Sequence, residues 1–152
     1  MDHSALAREM RGLREQVAGI TDTALAAADG LLIAADTADT IDPEGLAALA
    51  AAGLGLARRT AEATARGALH RTVAYGSHGC AAFYAVGENA LMVVLGDEGM
   101  DVERLHTASQ PALRRIDLIL TGRAEGPERA GRADRADRIG WSETTVKTAE
   151  GV

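Results

Sequence analysis

The chain has 152 residues, the length of one ordinary domain, and its 47% apolar and 25% charged composition suits a globular protein with a single core. Aromatic residues supply only 3%, so that core is aliphatic and alanine-rich. Sixteen basic against 22 acidic residues leave a net charge of −6, which repels phosphate backbones and anionic lipid heads and argues against nucleic-acid and membrane-surface partners.

Residues Ser4 to Ala18 predict an amphipathic helix, with Leu6, Met10, Leu13 and Val17 recurring at four, three and four, and Gly19 as its stop. Two strands follow, Ile20 to Ala28 and Leu31 to Ala35. Asp29-Gly30 between them predicts a hairpin with a type I′ turn, which needs positive φ at both central residues. After the polar turn Asp36 to Thr40, Asp42-Pro43-Glu44 opens a second helix: Asp42 caps the free amides, Pro43 suits the first helical position, and Glu44 favours the positive end of the dipole. This helix is expected to run to Arg66 and end at Gly67.

From Leu46 to Ala57 that helix bears no charge on any face, with Leu46, Leu49, Gly53 and Leu56 on one stripe. A helix apolar nearly all round must be covered on more than one side. One side can lie on the chain's own sheet; the side lined by Ala48, Ala52 and Gly55 is expected to meet a second helix, because small side chains allow close backbone approach. The alternative is a helix buried wholly within its own chain, for which too few other elements remain.

Three strands come next, His70 to Tyr75, Cys80 to Val86 and Ala90 to Leu95, joined by hairpin-length turns into an antiparallel meander. A last helical segment places Val102, Leu105, Ala112, Ile116 and Ile119 inward, and Pro111 within it predicts a kink, or two shorter helices, near Ser109 and Gln110. Residues 1–121 therefore form an α+β domain. From Gly122 to Val152 the composition turns to glycine, arginine and acids, which predicts a disordered charged tail; its repeated Arg-Ala-Asp, Arg132 to Asp134 and Arg135 to Asp137, allows a transient helix or a docking motif. The tail is neutral, so the whole net charge sits on the folded part.

Several chemistries fall away. Cys80 is the only cysteine, which excludes a disulfide scaffold and a four-cysteine zinc site and fits a reducing cytosol. The N-terminus lacks the unbroken apolar stretch of a secretory signal, and Leu46 to Ala57 falls short of the roughly 20 residues that cross a bilayer, so a cytoplasmic protein without membrane insertion is expected. Lys147 is the only lysine and follows no glycine-rich loop, which removes a Walker-type phosphate loop and a Schiff-base amine. Gly53 and Gly55 begin a GxGxxG spacing, but Arg58 stands in the third place.

The element order resembles that of the Roadblock domains, the dynein-light-chain type related to longin and profilin-like sandwiches. Val17-Ala18-Gly19, Ala26 to Asp29 followed by Gly30-Leu31-Leu32-Ile33-Ala34, and Leu91 to Leu95 followed by Gly96-Asp97-Glu98-Gly99 carry the resemblance, which spans roughly residues 3–121. It implies a five-stranded antiparallel sheet sandwiched by helices, and a homodimer in which the long helices pack together and the two sheets join edge to edge. Leu46, Ala48, Leu49, Ala52, Gly53, Gly55, Leu56 and Arg59 are the expected dimer-interface residues. Bacterial domains of this kind partner small Ras-like GTPases, and the gliding-motility members act as GTPase-activating proteins. The arginine- and alanine-rich composition is similar to high-GC actinobacterial versions, encoded beside a Ras-like GTPase and a sensor kinase-like protein. Pro111 departs from the family's continuous last helix and puts that helix's docking in question.

The resemblance thus implies a non-enzymatic regulator, activator or adaptor, of a Ras-like GTPase. Arg58, Arg59 and Arg66 are candidates for an inserted arginine, although each is within helical reach of Glu62 and can equally be solvated or paired there. Positioning of the GTPase's own groups is the favoured mode, with Arg58, Arg66, Asp97 and Glu98 as candidate contacts and Asp101 beside them. His78 and Cys80, with His70 and His106, raise a metal or nucleophile site, but a lone His-x-Cys supplies no third or fourth ligand, and Ser77 beside His78 has no placed acid. No cofactor or metal is expected. The rival reading is a small-ligand sensor, for which the small side chains of Ala24 to Ala28 and Ala81 to Ala85 leave room without marking a pocket by converging polar groups.

Overall fold

The computed structural model describes residues 1–123, so the sequence predicted to form a charged tail lies outside the described residues except for Gly122 and Arg123. Helix α1 (His3–Gln16) is capped by Asp2, whose Oδ1 accepts from the Ala5 amide at 3.0 Å, and it buries Leu6, Met10 and Leu13. Strands β1 (Ile20–Ala27) and β2 (Leu32–Asp36) form the predicted hairpin with a different turn. Only Gly30 takes a positive φ, +93°, while the Ala27 carbonyl accepts from the Gly30 amide and the Ala27 amide donates to the Leu31 carbonyl, both at 2.9 Å. This is a three-residue loop with glycine in the left-handed position, not type I′, and it takes Leu31 out of the strand.

Helix α2 (Pro43–Ala63) starts as expected, with Asp42 accepting from the Glu44 amide at 3.2 Å. It stops three residues short of the predicted Arg66. Ala65 is left-handed, φ +56°; its amide bonds to the Glu62 carbonyl and that of Arg66 to the Ala61 carbonyl, a Schellman closure built on alanine in place of the usual glycine. Strands β3 (Arg71–Gly76), β4 (Gly79–Val86) and β5 (Ala90–Gly96) complete an antiparallel sheet of order β2-β1-β5-β4-β3.

The sheet is buried on both faces, which is why its centre reads as a continuous apolar run. Along β5, Met92 and Val94 point toward α1 and α3, whereas Leu91 and Val93 point toward α2. The α2 side is thin, filled by Ala24, Ala26, Ala47, Ala50 and Leu54. The fold is therefore the expected α+β sandwich.

Helix α3 (Val102–Thr121) runs unbroken through Pro111, against the expected division. Proline removes one amide donor, but the inward row of Leu105, Ser109, Ala112 and Ile116 stays buried across it. Docking is kept as well: Arg115 Nε reaches both Glu9 carboxylate oxygens at 2.9 and 3.0 Å, and Arg104 Nε donates to the Gln16 carbonyl at 3.1 Å.

Candidate partner interface

Among the described residues no element covers the outer face of α2. Its inner face presses Ala47, Ala50 and Leu54 onto the sheet, and helical periodicity turns Ala48, Leu49, Ala52 and Leu56 the other way. Leu49 is 71% exposed and Leu56 67%, an unusual exposure for leucines on an otherwise apolar helix. Gly55 adds a notch, since nothing lies within 4 Å of where its Cβ would stand. Two residues grouped with this face in the sequence belong elsewhere. Gly53 sits over the sheet, where a Cβ would be 3.1 Å from Phe83 Cε2, and half-buried Leu46 packs with the residues beneath α2.

Arg59 continues the outer stripe and is exposed, as is Arg66 beyond the helix end; Arg58 is half-buried. None of the three forms an ion pair with Glu62; among the described residues the ion pairs are Arg14–Asp36, His78–Glu98 and Arg115–Glu9. The acidic candidates gather in the β5–α3 loop, where two already have local work. Asp97 accepts from the Gly99 amide at 2.9 Å, and Asp101 caps α3 by accepting from the Arg104 amide at 3.1 Å. Glu98 is 3.2 Å from His78 Nδ1 across an exposed pair.

The histidines and the cysteine are engaged separately. His106 lies 2.6 Å from the Tyr84 hydroxyl, His70 is exposed, and half-buried Cys80 packs against the core, where burial pushes its thiol up. Among the described residues no three His, Cys, Asp or Glu side chains gather as a metal site. Nor is any described helix long and apolar enough to cross a membrane. A surface cleft of about 300 Å³ lies between the β3–β4 turn and the β5–α3 loop, lined by Tyr75, Cys80, Asp97, Glu98 and Met100 among others.

Sequence reasoning passed over Leu31. It is 68% exposed, and its neighbour Gly30 lies against α2, with a Cβ position 3.3 Å from Ala48 Cα. The signal was the Asp-Gly turn itself: counted as a three-residue loop over 28–30, it puts Leu31 at the closing pair with Ala27 and not in β2. Tyr75, 74% exposed on the edge strand β3, was likewise unremarked.

The Roadblock/LC7 domain pattern matches residues 6–96. An uncharacterised protein of Methanocaldococcus jannaschii is 32% identical over 98 residues, covering 64% of this chain and 85% of that protein. In three dimensions the chain is similar to a Roadblock/LC7 domain from Streptomyces avermitilis (TM-score 0.71, 21% identity, 75% of this chain and 96% of that one). It is also similar to the gliding protein MglB from Thermus thermophilus (TM-score 0.68, 16% identity, 77% and 89%). With the sheet order and the long helix across one face agreeing with the sequence match, the chain belongs to the Roadblock/LC7 domain family.

Proposed function

We propose that this protein is a cytoplasmic regulator that pairs with a second copy through the outer face of α2 and, as a dimer, binds a small Ras-like GTPase, changing its GTP hydrolysis or its placement. The observation that carries the reading is the exposure of Leu49 and Leu56, 71% and 67%, beside Ala48 and Ala52. Covering the two leucines is worth about 1.5–3 kcal/mol each, and the alanines let a second backbone come close. The edge strand β3, paired among the described residues only with β4, offers a ladder for joining two sheets.

The GTPase half rests on family membership and on the likeness to MglB, together with Arg58, Arg66, Asp97 and Glu98 as charged groups available to a partner. Arg59 belongs to the dimer face in this reading. Positioning of the GTPase's own catalytic groups is preferred to an inserted arginine. The test mixes the purified protein with a Ras-like GTPase of the same organism, loaded with GTP or GDP, and follows complex formation and phosphate release. Nucleotide-dependent binding supports the proposal; no binding in either state refutes its GTPase half.

A further inference from the structure

A second cleft, about 180 Å³ in volume, opens on the face of the sheet away from α2, between the end of β4 and the second half of α3. The register of β3 on β4 sets Arg71 directly opposite Tyr84, so both side chains stand on the α3 side of the sheet. From α3, His106, Gln110 and Arg114 recur at four and four, one stripe of the helix. Gln110 and Arg114 line the cleft together with Tyr84, and His106 adjoins it through its 2.6 Å bond to the Tyr84 hydroxyl.

Two guanidinium groups thus approach one small cleft from different elements, Arg71 from β3 and Arg114 from α3. Both side chains are exposed, and neither is among the ion pairs of the described residues. The Arg71 charge is felt by the groups beside it: it favours the ionised form of Tyr84 and opposes protonation of His106. Glu103 pulls His106 the other way, but less strongly. The acid that lines the cleft, Asp117, lies against Gly87, so close that a Cβ there would collide with its carboxylate.

In a chain of net charge −6, two arginines without carboxylate partners, gathered over a buried hydroxyl and an imidazole, form a site for an anion. A carboxylate satisfies one guanidinium edge, whereas a tetrahedral dianion has oxygens and charge enough for two. The cleft is smaller than the roughly 300 Å³ at which pockets for drug-sized ligands begin, so it suits a phosphoryl group and not a whole nucleotide. We propose that this cleft binds a phosphoryl group through Arg71 and Arg114, with Gln110 as a further donor and His106 at the edge. A small free phosphate and a phosphorylated side chain of another protein present the same chemistry. The site is independent of the dimer and of the GTPase.

The test titrates the full chain with sodium phosphate under mildly alkaline conditions, at ionic strength held constant with chloride, and follows the His106 ring by NMR. Saturable shifts are expected, with sulfate competing and acetate failing to saturate. A bound dianion offsets Arg71, so the His106 pKa is expected to rise by about half a unit or more. Arg71→Gln and Arg114→Gln are each expected to weaken binding about fivefold or more, and the double variant to abolish it, with the circular dichroism spectrum unchanged. A phosphoserine tripeptide flanked by alanines separates the sources: binding about tenfold tighter than inorganic phosphate assigns the group to a partner protein, and equal or weaker binding to the free ion. No saturation with phosphate, acetate binding as well as phosphate, or undiminished binding in the double variant overturns the site.

Discussion

The Tyr84 hydroxyl lies 2.6 Å from Nδ1 of His106, joining β4 to α3 in an edge-on ring pair with centroids 5.7 Å apart. Tyr84 is 1% exposed, and burial pushes its hydroxyl up to about 12. Burial first, and then Arg71, hold His106 below its ordinary value, so at neutral pH a neutral imidazole shares this hydrogen bond with the tyrosine hydroxyl.

A pH dependence with two flanks follows from this pair. The depressed His106 leaves the unfolded chain binding more protons below about 6.5, so its contribution to stability is full above that value and is lost as the pH falls further. The raised Tyr84 contributes fully below about 10 and is lost as the pH climbs toward 12. Urea unfolding across pH is expected to show His106→Gln flattening the acid flank and Tyr84→Phe flattening the alkaline one. A wild-type acid flank retained in His106→Gln contradicts the assignment.

Ala65 closes α2 in the left-handed region, where a Cβ is strained. Ala65→Gly is therefore expected to stabilise the fold by about 0.5–1 kcal/mol, although glycine usually destabilises by widening the unfolded ensemble. The midpoint of denaturant unfolding measures it, and a lower midpoint would refute the Schellman account.

Gly53 and Gly55 are two residues apart on one helix and should respond in opposite directions. Gly53→Leu drives a side chain into Phe83 and is expected to cost about 1–3 kcal/mol. Gly55→Ala meets open space and is expected to add about 0.5–1 kcal/mol to the isolated subunit. Thermal unfolding of both variants in the dilute, dissociated state compares them directly.

Leu49→Asp combined with Leu56→Asp is expected to change the stability of the single subunit by less than about 1 kcal/mol, because both side chains are mostly exposed. Dimerisation should be abolished. Light scattering at micromolar concentration gives the mass, and a folded dimer of this variant would move the interface away from α2.

Arg58→Ala and Arg66→Ala are expected to slow stimulated GTP hydrolysis by less than about tenfold, as a positioning role requires; loss of an inserted arginine costs about a thousandfold or more. Single-turnover hydrolysis with each variant decides between the two modes.

Much of the fold was legible because it is written in local periodicities. Leu6, Met10, Leu13 and Val17 mark a helix by spacing alone, Asp42-Pro43-Glu44 marks a helix start by capping chemistry, and every strand was found to within a residue or two. The failures came where local rules compete. Asp29-Gly30 satisfies two turn geometries, and backbone bonds around Ala27 chose the longer one. Thr64 and Ala65 look helical in isolation, yet the chain turns there toward β3. At Pro111 the local cost of proline lost to the burial of Leu105, Ala112 and Ile116 on both sides of it.

By itself the sequence determined that α2 is free of charge on every face from Leu46 to Ala57, because composition and spacing say how much apolar surface exists. Which side chains turn toward the sheet was a tertiary decision. Only once Ala47, Ala50 and Leu54 are seated on the sheet, with Gly53 over Phe83, does the rotation of the helix become definite and leave Leu49 and Leu56 facing outward. A periodic pattern specifies a helix's stripes; contact with a second surface selects which stripe is turned inward.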